Sequence, residues 1–287
     1  VYTPPLYPLA VSLVWRCMPG NLLALQVLSA LCYVLIGWVL LHLLTRVNGE
    51  FSAKVLAAWC LGVFGVFPLS YAWRIFSEPL FMLLSLLALL CCLKSEGRSA
   101  PIWALAGGVL AALAMLTRLP GAALVLAGIL YFSVSRKWKS LAFFLAAAFL
   151  VLLLFLPLLS NIVLSYQQRD YGRDSFAASL GLTLHNIGAS MMYYGAHSLP
   201  RALFYALFDA NCLLCQLHLT WLIKPVAWGL AILVLAGLVV SLRRPGLLEW
   251  YWLLFWPMVC STPYWPQERY FLPILPLAGW YLVKGAG

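Results

Sequence analysis

The chain has 287 residues, 64% of them hydrophobic and 9% charged, with 18 basic residues against 8 acidic and a net charge of +10. A soluble domain carries about 25% charged residues, so a water-soluble fold is excluded; apolar runs near the ~20 residues that cross hydrocarbon as helix indicate an all-α polytopic transmembrane bundle rather than a β-barrel. The basic residues fall singly or in short groups between apolar runs, with no basic face and no nucleic-acid fold signature, which excludes nucleic acid as a partner and leaves membrane lipid.

Val1 is preceded by no methionine, basic n-region or cleavage site, and the chain is expected to be an N-terminally truncated fragment. Pro4-Pro5-Leu6-Tyr7-Pro8 then leads into a short apolar stretch that carries Arg16 and closes at Pro19-Gly20, which suits an interfacial or re-entrant helix better than a span. About nine spans follow, predicted at 20–46, 53–71, 78–93, 101–117, 119–135, 140–164, 221–242, 247–260 and 270–283, in one transmembrane domain over 1–287. Residues 101–135 contain one charge, Arg118, and as a single helix would be roughly 52 Å long against a core of ~30 Å. The run must turn, and Leu119-Pro120-Gly121 is the breaker.

With the first span running inward, Arg46, Lys54, Lys94, Arg98, Arg136, Lys137, Lys139, Arg243, Arg244 and Lys284 share the side that the positive-inside rule makes cytoplasmic. The opposite side receives seven arginines, one lysine and five of the eight acids, together with the longest polar segment, 165–198, as the main non-cytoplasmic loop. Anchoring needs only charge, whereas arginine among carboxylates suits a site, because its planar fork holds phosphate or carboxylate through two parallel bonds.

Four groups on that side carry candidate chemistry. In Tyr71-Ala72-Trp73-Arg74-Ile75-Phe76-Ser77-Glu78-Pro79, Pro79 suits a first helical turn, so Ser77 or Glu78 is a cap with Arg74 snorkelling, or Glu78 and Arg74 rim a cavity. Arg118, alone in its apolar run, either reaches the interface or meets an anion. Glu268 and Arg269 open the last span amid Tyr264, Trp265 and Tyr270, as an interfacial belt or as two site residues. Arg169, Asp170, Arg173 and Asp174 in the polar loop, with His185, Asn186 and His197 after them, read as a solvated loop or as a grip on sugar or acceptor. Cys212, Cys215 and His218 lack a fourth ligand, so no metal site is assigned, no cofactor is required and a divalent cation stays open. No Gly-rich phosphate loop or hydrolase elbow occurs.

Three stretches resemble the GT-C superfamily of membrane glycosyltransferases, which includes the dolichyl-phosphate-mannose mannosyltransferases and the bacterial aminoarabinose transferases. They are Thr3-Pro4-Pro5-Leu6-Tyr7-Pro8-Leu9, the two-part stretch Ser77-Glu78-Pro79-Leu80-Phe81 and Ala106-Gly107-Gly108-Val109-Leu110-Ala111-Ala112-Leu113-Ala114-Met115-Leu116-Thr117-Arg118-Leu119-Pro120-Gly121, and Arg269-Tyr270-Phe271-Leu272-Pro273-Ile274-Leu275-Pro276. The resemblance implies transfer of a sugar, mannose or another hexose or pentose, from a polyprenyl-phosphate donor to a hydroxyl acceptor on a lipid, glycan or protein. The reaction would take place on the lumenal or periplasmic face of the endoplasmic reticulum or bacterial inner membrane. It also implies Glu78 as a supporting carboxylate and Arg74, Arg118 and Arg269 as phosphate or carboxylate partners. The family's principal catalytic Asp lies in a first outer loop ahead of the proline-rich segment. That loop is expected upstream of Val1, or the chain is an inactive copy. A transporter or flippase would also place charges between spans, but it tends to show two related halves, and no internal repeat is evident here.

Overall fold

The computed structural model describes residues 4–63, 77–157, 200, 223–260 and 273–286. Among them every regular element is helical: α1 (Leu6–Cys17), α2 (Leu22–Asn48), α3 (Ala53–Val63), α4 (Glu78–Lys94), α5 (Ala100–Thr117), α6 (Ala122–Val134), α7 (Trp138–Leu154), α8 (Ile223–Ser241), α9 (Leu247–Cys260) and α10 (Leu275–Ala286), with 3-10 turns at Gly97–Ser99 and Leu119–Gly121.

Local chemistry sets the ends. The Asn21 side chain accepts the Ala24 N–H at 3.2 Å to start α2, and Gly49, at φ 87°, ends it in the left-handed region that glycine enters without a Cβ clash. The expected proline-rich lead-in is α1, which has no buried residue. The expected break after Thr117 is also present, since Pro120 has no N–H with which to continue the α5 ladder. The last helix starts later than expected: Pro273 and Ile274 form a turn and the helix begins at Leu275, with Pro276 in the first turn, where a missing N–H leaves no bond unmade.

α4 and α5 form an antiparallel hairpin; α5 packs on α7, α4 on α2, α6 on α9, and α10 lies against both α3 and α8. Small residues permit the closest of these approaches: Ala104, Gly107, Gly108, Ala111 and Ala112 are buried along α5, and a Cβ on Gly108 would run into the Phe144 carbonyl of α7. Among the described residues the interior is one apolar cluster drawing on every helix from α2 to α10. The outside is apolar too, with Leu31, Val34 and Trp38 of α2 and Phe149, Leu150 and Leu154 of α7 exposed, which suits hydrocarbon rather than water as the surrounding medium. By length and composition, Leu22–Asn48 and Ala100–Thr117 are long and apolar enough to cross a membrane.

Candidate functional site

The site grows from the register of one hairpin. α4 has 17 residues and α5 has 18, joined by a short turn, so the first residue of α4 returns opposite the last of α5. Glu78 opens α4 and Arg118 caps the C-terminus of α5. Read along the chain they belong to separate clusters; in space Arg118 Nη1 lies 2.8 Å from Glu78 Oε1.

The backbone around each side chain explains the meeting. Arg118 leaves the helix in an extended conformation, φ −153° and ψ 137°, while its N–H still bonds the Ala114 carbonyl at 2.9 Å. Its own carbonyl accepts the Gly121 N–H at 2.9 Å, so the 3-10 turn holds it from the other side. That turn folds tightly onto α5 and packs on α9, and a Cβ on Gly121 would strike the Met115 N and lie 2.6 Å from backbone atoms of Ala114 and Met115. Ser77 occupies the N-cap of α4 without a side-chain capping bond, and Pro79 sits in the first turn as expected. The Glu78 carboxylate therefore has two favourable partners, the positive end of α4 and the Arg118 guanidinium. The two earlier readings of Arg118 resolve in favour of an anion partner.

Burial is unequal. The Glu78 side chain is 3% exposed and that of Arg118 is 15% exposed, with the Arg118 Nη1 that meets the carboxylate itself buried. In a charged pair this deep each member helps to compensate the other. Arg118 carries N–H donors of the kind that hold a phosphate or carboxylate, and Glu78 lies against one Nη of that fork.

Sequence reasoning missed Tyr7. Its helix, α1, packs on α5 and α2. Burial, followed by the nearby Glu78 carboxylate and the Cys32 thiol, pushes its hydroxyl up to about 12, so it keeps its proton near neutrality. Because the folded-state value lies above the ordinary 10, the associated stability is complete below pH 10 and is lost as pH rises through about 12. Melting temperatures of wild type and Tyr7→Phe, measured from pH 9 to 12, are expected to show wild type losing ground to the variant only above pH 10. A constant difference across that range would remove Tyr7 from the vicinity of the carboxylate.

Arg74, Arg169, Arg173, Glu268 and Arg269 lie outside the described residues, as do Cys212, Cys215, His218 and the loop 165–198. Among the described residues no three His, Cys, Asp or Glu side chains gather as metal ligands.

The far end of the same hairpin carries a different kind of charge. Arg46 at the end of α2 reaches Glu96 in the α4–α5 turn at 2.9 Å, and Lys137 in the α6–α7 turn approaches the same carboxylate at 3.6 Å. Arg46 and Lys137, two of the residues assigned above to one membrane side, thus meet a shared carboxylate at one end of the hairpin, and Glu78 and Arg118 meet at the other.

A family model described as dolichyl-phosphate-mannose-protein mannosyltransferase matches residues 2–160, a stretch that includes α1 through α7 and both members of the ion pair. No curated protein and no solved structure matches the chain.

Proposed function

The chain belongs to the dolichyl-phosphate-mannose-protein mannosyltransferase family of GT-C type membrane glycosyltransferases, and from that premise we propose that it transfers a sugar from a polyprenyl-phosphate donor to a hydroxyl acceptor at the Glu78–Arg118 end of the bundle. The observation that carries this reading is the 2.8 Å pair itself, a buried carboxylate against a less deeply buried arginine side chain at two helix ends inside the matched stretch.

In this reaction the bond from the anomeric carbon to the donor's phosphate oxygen breaks, the lipid phosphate leaves with the electron pair, and the acceptor oxygen bonds to carbon as its proton passes to a base. Arg118 stabilises the charge growing on the leaving phosphate, which is where a preorganised cation in a dry site contributes most. Glu78 is a positioning residue: one of its oxygens is occupied by the guanidinium, so it orients the cation rather than taking the acceptor's proton. Arg74, Arg269, Glu268, Arg169 and Arg173 are assigned to the same face as further contacts to donor or acceptor, with about nine spans bringing the 165–198 loop there. That face is lumenal or periplasmic, opposite the basic turns that the positive-inside rule retains in the cytoplasm. Nothing in the family match or the pair's geometry supports the transporter or flippase alternative.

The test uses membranes containing the intact protein and radiolabelled polyprenyl-phosphate sugars. Wild type should transfer label, and Glu78→Gln and Arg269→Ala should each lose at least ~10-fold, as removal of an electrostatic partner does. Full activity in both variants would overturn the site; movement of a labelled solute without glycosyl transfer would overturn the reaction.

A further inference from the structure

A cavity of about 680 Å³ opens between α2 and α4 at the end of the bundle away from Glu78, roughly 25 Å along the 17-residue α4. Its wall is of two kinds. Leu41, Leu90 and Leu93 make it apolar, while Arg46, Lys94 and Glu96 bring charge to it. Glu96 is the one carboxylate of that lining and pairs with two cations, Arg46 at 2.9 Å and Lys137, outside the lining, at 3.6 Å; Lys94 also lines the cavity, its Nζ 4.9 Å from the centre of the Trp103 ring. The lining carries two cations against one carboxylate, an excess of one, and the Arg46 side chain is 47% exposed with one Nη engaged by Glu96. A phosphate is the chemical complement of that excess.

The helix leading to the cavity identifies the source of the phosphate. Leu31, Leu35, Trp38 and His42 recur at intervals of four, three and four on α2, all exposed, and His42 lines the cavity. The apolar members form a stripe about 10 Å long on one helix face, followed by His42 where the cations begin. His42 is fixed at that junction, its Nδ1 3.0 Å from the Trp38 carbonyl oxygen and its ring 4.5 Å from the Trp38 ring. A soluble anion would have no use for the stripe, whereas an acyl chain lies along it with its headgroup in the cavity.

We propose that this cavity binds the headgroup phosphate of an anionic phospholipid in the leaflet at the basic end of the bundle, with one acyl chain along the Leu31–Trp38 face of α2. The proposal rests on membrane placement and not on the transfer reaction, so its failure would leave the Glu78–Arg118 assignment standing, and the reverse also holds.

The purified full chain, in a neutral detergent, is titrated with dioctanoyl-phosphatidylglycerol and followed by native mass spectrometry. Saturable binding of one lipid is expected, weakened about fivefold in Lys94→Gln and about 25-fold in Arg46→Gln/Lys94→Gln, since each cation near a membrane surface contributes about a fivefold factor. Arg243→Gln/Arg244→Gln removes two exposed cations elsewhere and should leave the affinity within twofold. Lys94→Gln leaves the Arg46–Glu96 bridge in place, so it reports even where the double variant does not fold. A brominated acyl chain should quench wild-type tryptophan fluorescence more than that of Trp38→Phe. Equal weakening in both double variants would reduce the effect to general surface charge and overturn the site. Glycerol phosphate binding as tightly as the lipid would make it a soluble-anion pocket, and equal quenching with and without Trp38 would remove the acyl chain from α2.

Discussion

Replacing Glu78 or Arg118 singly with methionine is expected to destabilise the protein by about 3–5 kcal/mol, because each change takes an opposite charge at 2.8 Å away from a group that stays buried. Replacing both is expected to recover most of that loss, since an apolar pair of similar volume often substitutes for a buried ion pair at little cost. Sugar transfer should not follow stability. In the double variant it should stay at least ~100-fold below wild type, the usual consequence of deleting a preorganised charge-stabilising group. Thermal melts in detergent and a radiolabel transfer assay on the same four proteins separate the two outcomes. If activity returns together with stability, the pair is a clasp that holds the α4–α5 hairpin shut and Arg118 has no part in the chemistry.

The reason this pair could not be read directly from the sequence lies in how helical hairpins measure distance. Glu78 and Arg118 are 40 positions apart, and each had a sufficient local explanation, a first-turn carboxylate beside Pro79 for one and a cation at a helix break for the other. What joins them is the near equality of α4 and α5 on either side of the Gly97–Ser99 turn, which folds their free ends back to one level. Span boundaries at 78 and 117 contained that information, but the step from boundary to contact needs the facing of the two helices, which almost uniformly apolar helices do not reveal. The break at Leu119-Pro120-Gly121 was legible for the opposite reason, because proline and glycine act on the backbone where they stand. The meeting of Arg46 and Lys137 was legible as well, since helix alternation assigns both to one side, whereas the carboxylate they share, Glu96, was not singled out. Tyr7 was not, since nothing in Pro4-Pro5-Leu6-Tyr7-Pro8 specifies that α1 folds back onto α2 and α5.

Gly121→Ala provides a test that changes no charge. Its added methyl group would meet backbone atoms of Ala114 and Met115, which cannot rotate away as a side-chain tip can. The 3-10 turn must therefore lift from α5, and the Gly121 N–H that bonds the Arg118 carbonyl moves with it. Overpacking of this kind costs about 1–3 kcal/mol, and a displacement near 1 Å at a positioned group costs on the order of 100-fold in rate. Gly229→Ala is the matched control, because no atom outside its own helix neighbourhood lies within 4 Å of the added methyl group. That change should leave transfer untouched and stabilise α8 by about 0.5–1 kcal/mol, as alanine does over glycine inside a helix. Loss of both stability and transfer in Gly121→Ala, beside a small stability gain and unchanged transfer in Gly229→Ala, would tie catalysis to the position of Arg118 through a residue that bears no functional group. Unchanged transfer in Gly121→Ala, with the predicted fall in stability, would mean that the placement of the guanidinium does not limit the reaction, and the role given to Arg118 would have to be withdrawn.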